Sequence, residues 1–175
     1  MPTTMAGAAT TTKSDTHGVF FQLADGSISG GAEFGIQGGQ AINRLSVFKF
    51  VVADVVCSDG KTRITLTTLR AFADSPVIKI SKDLKSATAS GTVSGQEDIY
   101  NDCTQTDTYS DLTFGVKMNF HSTSGITTTK THTVTRYPDR SKDVFDDTFA
   151  SRDAAGTVVL GGTSYSPDAS IVHEV

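Results

Sequence analysis

The most regular feature of the chain is a strict alternation of apolar and polar positions between residues 112 and 120. The apolar positions are Leu112, Phe114, Val116, Met118 and Phe120, and the positions between them are Thr113, Gly115, Lys117 and Asn119. Side chains of a β-strand point alternately to opposite faces, so this period of two predicts a strand with one buried face. A turn signal at residues 122–125 and a β-branched run at residues 127–135 follow, which predicts that the two runs form a long hairpin.

Two more hairpins are predicted in the first half of the chain. Residues 18–23 and 28–34 flank the turn signal Asp25-Gly26, and the adjacent Gly30 and Gly31 predict a bulge in the second strand. Residues 48–57 and 64–69 flank a turn signal at residues 58–60, which predicts a hairpin with long arms.

The rest of the chain favours further short strands. Strands are predicted over residues 77–80, 87–93, 154–160 and 170–175, and a polar stretch at residues 96–110 contains Cys103. In residues 141–152 the apolar residues fall at helical spacing behind Ser141, although the same segment also fits a short strand. About ten strands predict an all-β fold, an antiparallel β-sandwich or barrel with at most one short helix. We expect a flexible lead-in over residues 1–17 and a single domain over residues 18–175.

The two halves of the chain share a weak internal repeat. Ala89, Gly91, Thr92 and Val93 match Ala154, Gly156, Thr157 and Val158 at a constant offset. Either two related half-domains or the Thr- and Gly-rich composition explains these matches. Over residues 84–175 the Gly-Thr-Val strands resemble those of uncharacterised exported bacterial all-β proteins. This resemblance implies an all-β fold and export, and it says nothing about activity.

Composition and charge narrow the classes of partner. Charged residues make up 19% of the chain and the formal net charge is -4, so the basic surplus that nucleic-acid binding requires is missing. No apolar run approaches the roughly 20 residues of a membrane-spanning helix. We therefore expect neither nucleic-acid binding nor membrane insertion.

The two cysteines, Cys57 and Cys103, bear on whether the protein is exported or stays inside the cell. They form one disulfide or remain as two buried thiols, and their number alone does not choose between these states. A Thr-, Ser- and Gly-rich chain with little predicted helix is common among exported proteins, in which disulfides persist. We expect a secreted or extracellular protein with a Cys57–Cys103 disulfide.

The sequence contains no local motif for catalysis, a metal or a cofactor. The histidines lie outside H-E-x-x-H and zinc spacings, the acidic residues match no calcium loop, and no G-x-S-x-G elbow occurs. We therefore expect no metal site and no cofactor. Tyr100 and Tyr109 flank the Cys103 segment, and together with Asp102 they are the predicted ligand-binding residues, because tyrosines offer stacking surfaces with a polar tip.

Two classes of function follow from this pattern. The first is a non-catalytic exported β-module that binds a protein or glycan partner or takes part in an extracellular assembly. The second is a hydrolase whose catalytic carboxylates come from separate strands, with Asp102 and Asp146 as candidates. Inward-facing carboxylates gathered in one pocket would favour the second class over the first.

Overall fold

A computed structural model describes residues 13–138 and 142–175, and the regular structure in these residues is β-strand throughout. The strands are β1 (Asp15–Gln22), β2 (Ile28–Gln37), β3 (Gln40–Val56), β4 (Thr62–Ala73), β5 (Val77–Ile80), β6 (Ser86–Asn101), β7 (Thr106–Ser122), β8 (Thr127–Arg136), β9 (Lys142–Leu160), β10 (Thr163–Tyr165) and β11 (Asp168–Glu174). The predicted all-β class is therefore confirmed. None of the described residues forms a helix that is long and apolar enough to cross a membrane.

Eight of the strands close into an antiparallel, barrel-like ring. The hydrogen-bonded order is β1, β2, β3, β4, β6, β7, β9 and β11, and β11 pairs with β1 to complete the ring. In this last pair Val19 lies opposite Ile171, and His17 lies opposite His173. Closure pairs strand edges that would otherwise offer a template for aggregation.

Alternating side chains from each strand fill the interior of the ring. An eight-stranded ring is just wide enough to be filled in this way. The largest fully buried side chains from these strands are Phe120, Leu45, Ile171, Val19, Val47, Val93, Val116 and Val158, and Leu84 from the turn between β5 and β6 joins them. The buried face predicted for β7 is confirmed, because Met118 is 3% exposed whereas Lys117 points to solvent.

Four strands run past the ring as a continuous sheet, which we call the four-stranded extension. It consists of residues 50–56 of β3, 62–68 of β4, 98–101 of β6 and 106–109 of β7. The predicted Cys57–Cys103 disulfide is confirmed, and it joins the β3–β4 turn to the β6–β7 turn with a Cα–Cα distance of 5.5 Å. The polar stretch at residues 96–110 is mostly strand, since β6 and β7 continue to the disulfide-linked turn.

The β8–β9 hairpin is a second projection, the β8–β9 arm, which consists of β8 and residues 142–148 of β9. The predicted hairpin between β7 and β8 is wrong. Both strands pair with the same edge of β9, β7 opposite residues 154–160 and β8 opposite residues 142–151. They are therefore two parts of one interrupted strand.

Hydrogen bonds to Ser124 explain why the chain does not turn back between β7 and β8. Ser124 Oγ accepts a hydrogen bond from the Asp153 amide at 2.8 Å, and the Ser124 carbonyl accepts one from Arg152 Nη1 at 2.9 Å. The Thr123 amide also donates to the Asp153 carbonyl at 2.8 Å. These contacts hold the linking segment against β9, so that β8 continues along the same edge.

The helical alternative for residues 141–152 is wrong wherever the structure describes this segment. Residues 142–152 belong to β9, and Ser141 lies outside the described residues. Cross-strand pairing with β8 extends along the segment from Lys142 to Ser151 and holds its backbone extended. The cross-strand partner β8 has therefore overridden the helical spacing.

Gly30 and Gly31 lie in β2 without the predicted bulge. Their pairing with β1 and β3 continues without an extra residue. A Cβ at Gly30 would lie 2.4 Å from the Ser46 carbonyl oxygen, and one at Gly31 would lie 2.4 Å from the Phe20 ring. Glycine is required because a neighbouring backbone and an aromatic ring come too close for any side chain.

We expect Met118→Asp to unfold or precipitate the protein and Lys117→Asp to leave it folded. An unpaired carboxylate at the buried Met118 position costs on the order of several kcal/mol, which is comparable with the total stability of a domain. Lys117 is the matched control because it precedes Met118 on the same strand and points outward. Thermal unfolding followed by circular dichroism measures the difference, and equal tolerance of both changes would show that the assigned faces are wrong.

We also expect neither Cys57 nor Cys103 to be alkylated in denatured protein that has not been reduced. The disulfide spans a sequence separation of 46, for which chain entropy gives a stabilisation of roughly 4 kcal/mol. The Cys57→Ser, Cys103→Ser double variant should accordingly unfold at a lower denaturant concentration. Intact-mass measurement counts the free thiols, and two alkylated cysteines before reduction would disprove the bridge.

Candidate functional site

The outer face of the four-stranded extension is built from rows of side chains that cross from β3 to β7. One row consists of Phe50, Thr68, Asp98 and Tyr109, and the next consists of Val52, Leu66, Tyr100 and Asp107. The row at the junction with the ring consists of Phe48, Arg70, Gln96 and Asp111. Each row begins with an apolar residue on β3 and has a carboxylate on β6 or β7. The face therefore carries mainly apolar side chains on β3, where Asp54 lies opposite Ile64, and carboxylates on β6 and β7.

Large apolar side chains are exposed on the β3–β4 side of this outer face. The exposed fraction is 59% for Phe50, 52% for Val52, 42% for Ile64 and 53% for Phe72. Phe48 packs edge-to-face on Phe72 with ring centroids 5.9 Å apart. A contiguous group of exposed apolar side chains on one face is the usual mark of an interaction surface.

A shallow groove extends the apolar side onto the ring. It has a volume of about 540 Å³ and runs from Phe48 over Ser29 and Gly31 of β2 to Phe20 of β1. Phe20 is 42% exposed on the same outer side of the sheet. The groove is thus edged by two aromatic rings, with small residues as its floor.

The structure brings together the three residues that were predicted to bind a ligand. Tyr100 and Tyr109 are diagonal neighbours on the acidic side of the outer face. Tyr100 Oη donates a hydrogen bond to Asp102 Oδ1 at 3.3 Å. The Asp102 amide in turn donates to the Ile64 carbonyl, which holds the β6–β7 turn against β4. The role of these residues in binding stays a prediction.

Carboxylates control the ionisation of both phenols. Burial and then the Asp102 carboxylate raise the pKa of Tyr100, and the Asp107 and Asp98 carboxylates raise the pKa of Tyr109. Both phenols therefore stay protonated at neutral pH and can donate hydrogen bonds. Asp98 Oδ1 is buried and has no hydrogen-bond partner within the described part of the chain. An unsatisfied carboxylate oxygen of this kind favours a donor supplied from outside.

The open end of the ring, on the inner side of the extension, holds an ion pair. Lys49 Nζ lies 2.9 Å from Glu97 Oε1, and Lys49 borders a cavity of about 270 Å³ with mainly apolar walls. The two carboxylates considered for a hydrolase, Asp102 and Asp146, lie in different hairpins, and Asp146 is hydrogen-bonded to His132. The structure does not bring these two candidates together.

At the opposite end of the ring, two histidines and a carboxylate converge where β1 meets β11. His17 and His173 are directly opposite each other, and their rings stack with centroids 4.0 Å apart. Asp15 Oδ1 lies 2.9 Å from His173 Nε2 and 3.9 Å from His17 Nδ1. Phe34 of β2 stacks on the His17 ring at a centroid distance of 5.4 Å. We call Asp15, His17 and His173 the Asp15–His17–His173 cluster.

The surroundings of His17 favour its neutral form. Burial lowers the pKa of His17, and the positive charge that His173 can carry lowers it further, whereas the Asp15 carboxylate opposes both effects. The ring is therefore mainly neutral at pH 7. A neutral imidazole retains a lone pair with which it can accept a proton or a metal ion.

The Asp15–His17–His173 cluster was not predicted from the sequence, because the expectation of no metal site considered local spacings only. Asp15 and His173 are 158 positions apart in the chain, so no short motif contains both. The pairing of the first strand with the last brings them together. That pairing is a property of the topology, for which the sequence carries no local signal.

Comparison with known proteins identifies no relative: the chain matches no protein-family model, no curated protein and no solved structure at a significant level. The resemblance to exported bacterial all-β proteins therefore stays an expectation. Any assignment of function depends on the surfaces and side chains described above.

We expect the ring of His17 to titrate below the ordinary histidine value of about 6.5. His173→Phe keeps a stacked ring but removes the positive charge that His173 can carry. The pKa of His17 should therefore rise part of the way towards the ordinary value, because the larger effect, burial, remains. The unfolded chain takes up this proton at a higher pH than the folded chain, so stability should fall as the pH drops below about 6.5. Nuclear magnetic resonance titration of the imidazole nitrogens measures the pKa in both proteins, and a wild-type value at or above 6.5 would contradict a mainly neutral His17.

Proposed function

We propose that the chain is a non-enzymatic, exported structural module that associates with further copies of itself through the outer face of the four-stranded extension. The observation that carries this proposal is the group of exposed apolar side chains on that face: Phe48, Phe50, Val52, Ile64 and Phe72. The core of the ring is complete without them. Their burial against another chain would release water from a large apolar area, which is the main driving force of protein association.

The extension is held in one shape before any partner binds. The Cys57–Cys103 disulfide links its two turns, and Arg63 adds hydrogen bonds from Nη1 to the Asp102 carbonyl at 3.2 Å and from Nη2 to Asp59 Oδ2 at 3.1 Å. A preformed surface loses less conformational entropy on binding than a mobile one. The disulfide also suits an oxidising, extracellular setting, which supports export.

The β8–β9 arm of a second copy is the occupant that best complements this face. One side of the arm carries Lys130, His132, Val134 and Arg136 from β8, with Asp146 and Val144 of β9 opposite His132 and Val134. Val134 and Val144 are 40% and 48% exposed. On this side the Asp146 carboxylate is hydrogen-bonded to His132, and the cations Lys130 and Arg136 lie beside the two valines. The outer face has the complementary arrangement, with carboxylates beside its own apolar side chains.

The charges on the two surfaces support the same pairing. On the acidic side of the outer face, the carboxylates of Asp98, Asp107 and Asp111 outnumber the guanidinium group of Arg70. Lys130 and Arg136 are exposed on the arm, where their charges remain available to a partner. Opposite potentials of this kind steer two chains into register and exclude partners of like charge.

The contact joins two different surfaces, which determines the form of the assembly. A heterologous contact of this kind leaves a free arm at one end and a free face at the other, so it produces rings or open chains of copies. In the described part of the chain, the edge of β8 that points away from β9 carries no strand. The arm is therefore accessible to another copy from this side.

We expect purified protein to associate increasingly as its concentration rises, and Phe50→Ser combined with Val52→Ser to weaken association by about tenfold or more, equivalent to about 1.4 kcal/mol. Ile36→Ser combined with Val77→Ser is the matched control, because these side chains are 46% and 59% exposed on β2 and β5, outside both the outer face and the β8–β9 arm. Sedimentation equilibrium measures the association constants. A wild-type chain that stays monomeric at about 1 mM, where even contacts of about 4 kcal/mol are half occupied, would contradict self-association.

Charge reversal tests the identity of the two surfaces. Lys130→Glu with Arg136→Glu, and separately Asp107→Lys with Asp111→Lys, should each abolish association, because like charges then meet. A mixture of the two variants should associate again, since the reversed arm of one then faces the reversed sheet of the other. Association that survives both reversals, or a mixture that remains monomeric, would exclude this pairing of arm and face.

A further inference from the structure

We infer that the Asp15–His17–His173 cluster is a binding site for a divalent transition-metal ion, with Zn²⁺ as the ion that its ligand atoms suit best. The site uses none of the residues of the assembly proposed above. It lies at the end of the ring opposite the four-stranded extension and beside the base of the β8–β9 arm, where His173 pairs with Ala150 of β9.

The spacing of the three ligand atoms fits such an ion. Two imidazole nitrogens and one carboxylate oxygen lie within 4.8 Å of one another. Zinc binds nitrogen and oxygen at about 2.0–2.2 Å, so neighbouring ligand atoms of a tetrahedral site are about 3.3 Å apart. The distances from Asp15 Oδ1 to His173 Nε2 and to His17 Nδ1, 2.9 and 3.9 Å, fall on either side of that value. The His17 and His173 rings stack at an interplanar angle of 19°, so both rings would turn towards Asp15 to direct their lone pairs at one ion.

The chemistry of the ligand set selects the class of ion. Two histidines and one carboxylate are a combination that binds zinc while leaving a fourth position for water. Calcium and magnesium prefer sites built entirely from oxygen atoms, whereas imidazole nitrogen suits zinc, copper and nickel. The nitrogens of His17 and His173 face the same carboxylate oxygen, so the three groups already converge on one region.

The fold restrains two of the ligands and leaves the third adjustable. Backbone pairing of β1 with β11 fixes the separation of His17 and His173, and Phe34 packs on the ring of His17. The side chains of His17 and His173 are 20% and 30% exposed, whereas that of Asp15 is 61% exposed. Asp15 can therefore move to complete the coordination, and solvent can deliver the ion from its side.

A metal ion at this position would tie the first strand of the ring to the last. Its ligands come from both strands of the pair that closes the ring, so the ion binds the folded chain and not the open one. Binding to the folded state alone raises the unfolding temperature with ion concentration. At a Zn²⁺ concentration 100 times the dissociation constant, we expect the unfolding temperature of a chain of this size to rise by about 5–10 °C.

The test is a titration of the full chain, freed of metal by a chelator, with Zn²⁺ as the only added ligand. Isothermal titration calorimetry should give one ion per chain, and Co²⁺ in place of Zn²⁺ should give the visible absorption of a low-symmetry site with nitrogen ligands. His17→Phe and His173→Phe keep a stacked aromatic ring and remove a ligand. Each change should weaken Zn²⁺ binding by more than roughly 10–100-fold, which is the usual cost of losing a residue that only hydrogen-bonds to a metal ligand.

His132→Phe is the matched control, because His132 also contacts a carboxylate, that of Asp146, but on the β8–β9 arm. It should bind Zn²⁺ with unchanged affinity.

If a cluster variant fails to fold, the wild-type chain still decides: Zn²⁺ should shift the ring resonances of His17 and His173 before those of His121 and His132. Zinc binding that persists in the His17→Phe, His173→Phe double variant, or no binding at all to the wild type, would overturn the inference. Neither result bears on self-association, which is measured without metal.

Discussion

The backbone pairing of β1 with β11 is the interaction on which the rest of the structure depends. Without it the sheet would be open, with one long edge on β1 and another on β11. Val19 and Ile171, which are both fully buried, lie opposite each other in this pair. Their burial therefore requires closure, and so does the meeting of His17 with His173. One set of hydrogen bonds between distant parts of the chain thus completes both the core and the Asp15–His17–His173 cluster.

Closure also explains how the molecule can carry two long projections. The ring contains its own core, so the four-stranded extension and the β8–β9 arm are free to expose side chains that a smaller sheet would have to bury. The two projections are stabilised differently. The extension has four strands and a disulfide, whereas the arm is a two-stranded hairpin whose β8 residues are exposed throughout. A rigid face and a more adaptable arm are a suitable combination for two surfaces that must fit each other.

Local patterns in the sequence were sufficient where neighbours in the chain are also neighbours in the sheet. The hairpins β1–β2 and β3–β4 and the buried face of β7 follow from alternation and from turn residues that lie close by in the chain. Alternation did not reveal which way a strand faces, however. Phe48, Phe50 and Val52 alternate as a buried set would, yet they point outward, while Lys49 and Val51 occupy the inner positions.

The features that the sequence did not reveal depend on contacts between distant residues. The partner of β8 is β9 and not β7, because Ser124 is bound to the backbone and side chain of residues about 30 positions away. The strand at residues 142–152 is an exception, because its partner β8 is also its neighbour in the chain and its apolar spacing fits both a helix and a strand. The cluster at Asp15, His17 and His173 requires the two ends of the described chain to meet. Tyr100, Asp102 and Tyr109, by contrast, lie close together in the sequence and are also neighbours in the structure.

The continuity of β9 has a mechanical consequence. This strand belongs both to the arm, through β8, and to the wall of the ring, through β7 and β11. A pull along the arm is therefore transmitted directly into a strand that is hydrogen-bonded on both edges. The bonds lie across the direction of the pull, so they share the load in shear and do not open one after another as in a hairpin peeled from its end. The arm is therefore anchored in a strand that resists tension through both of its edges.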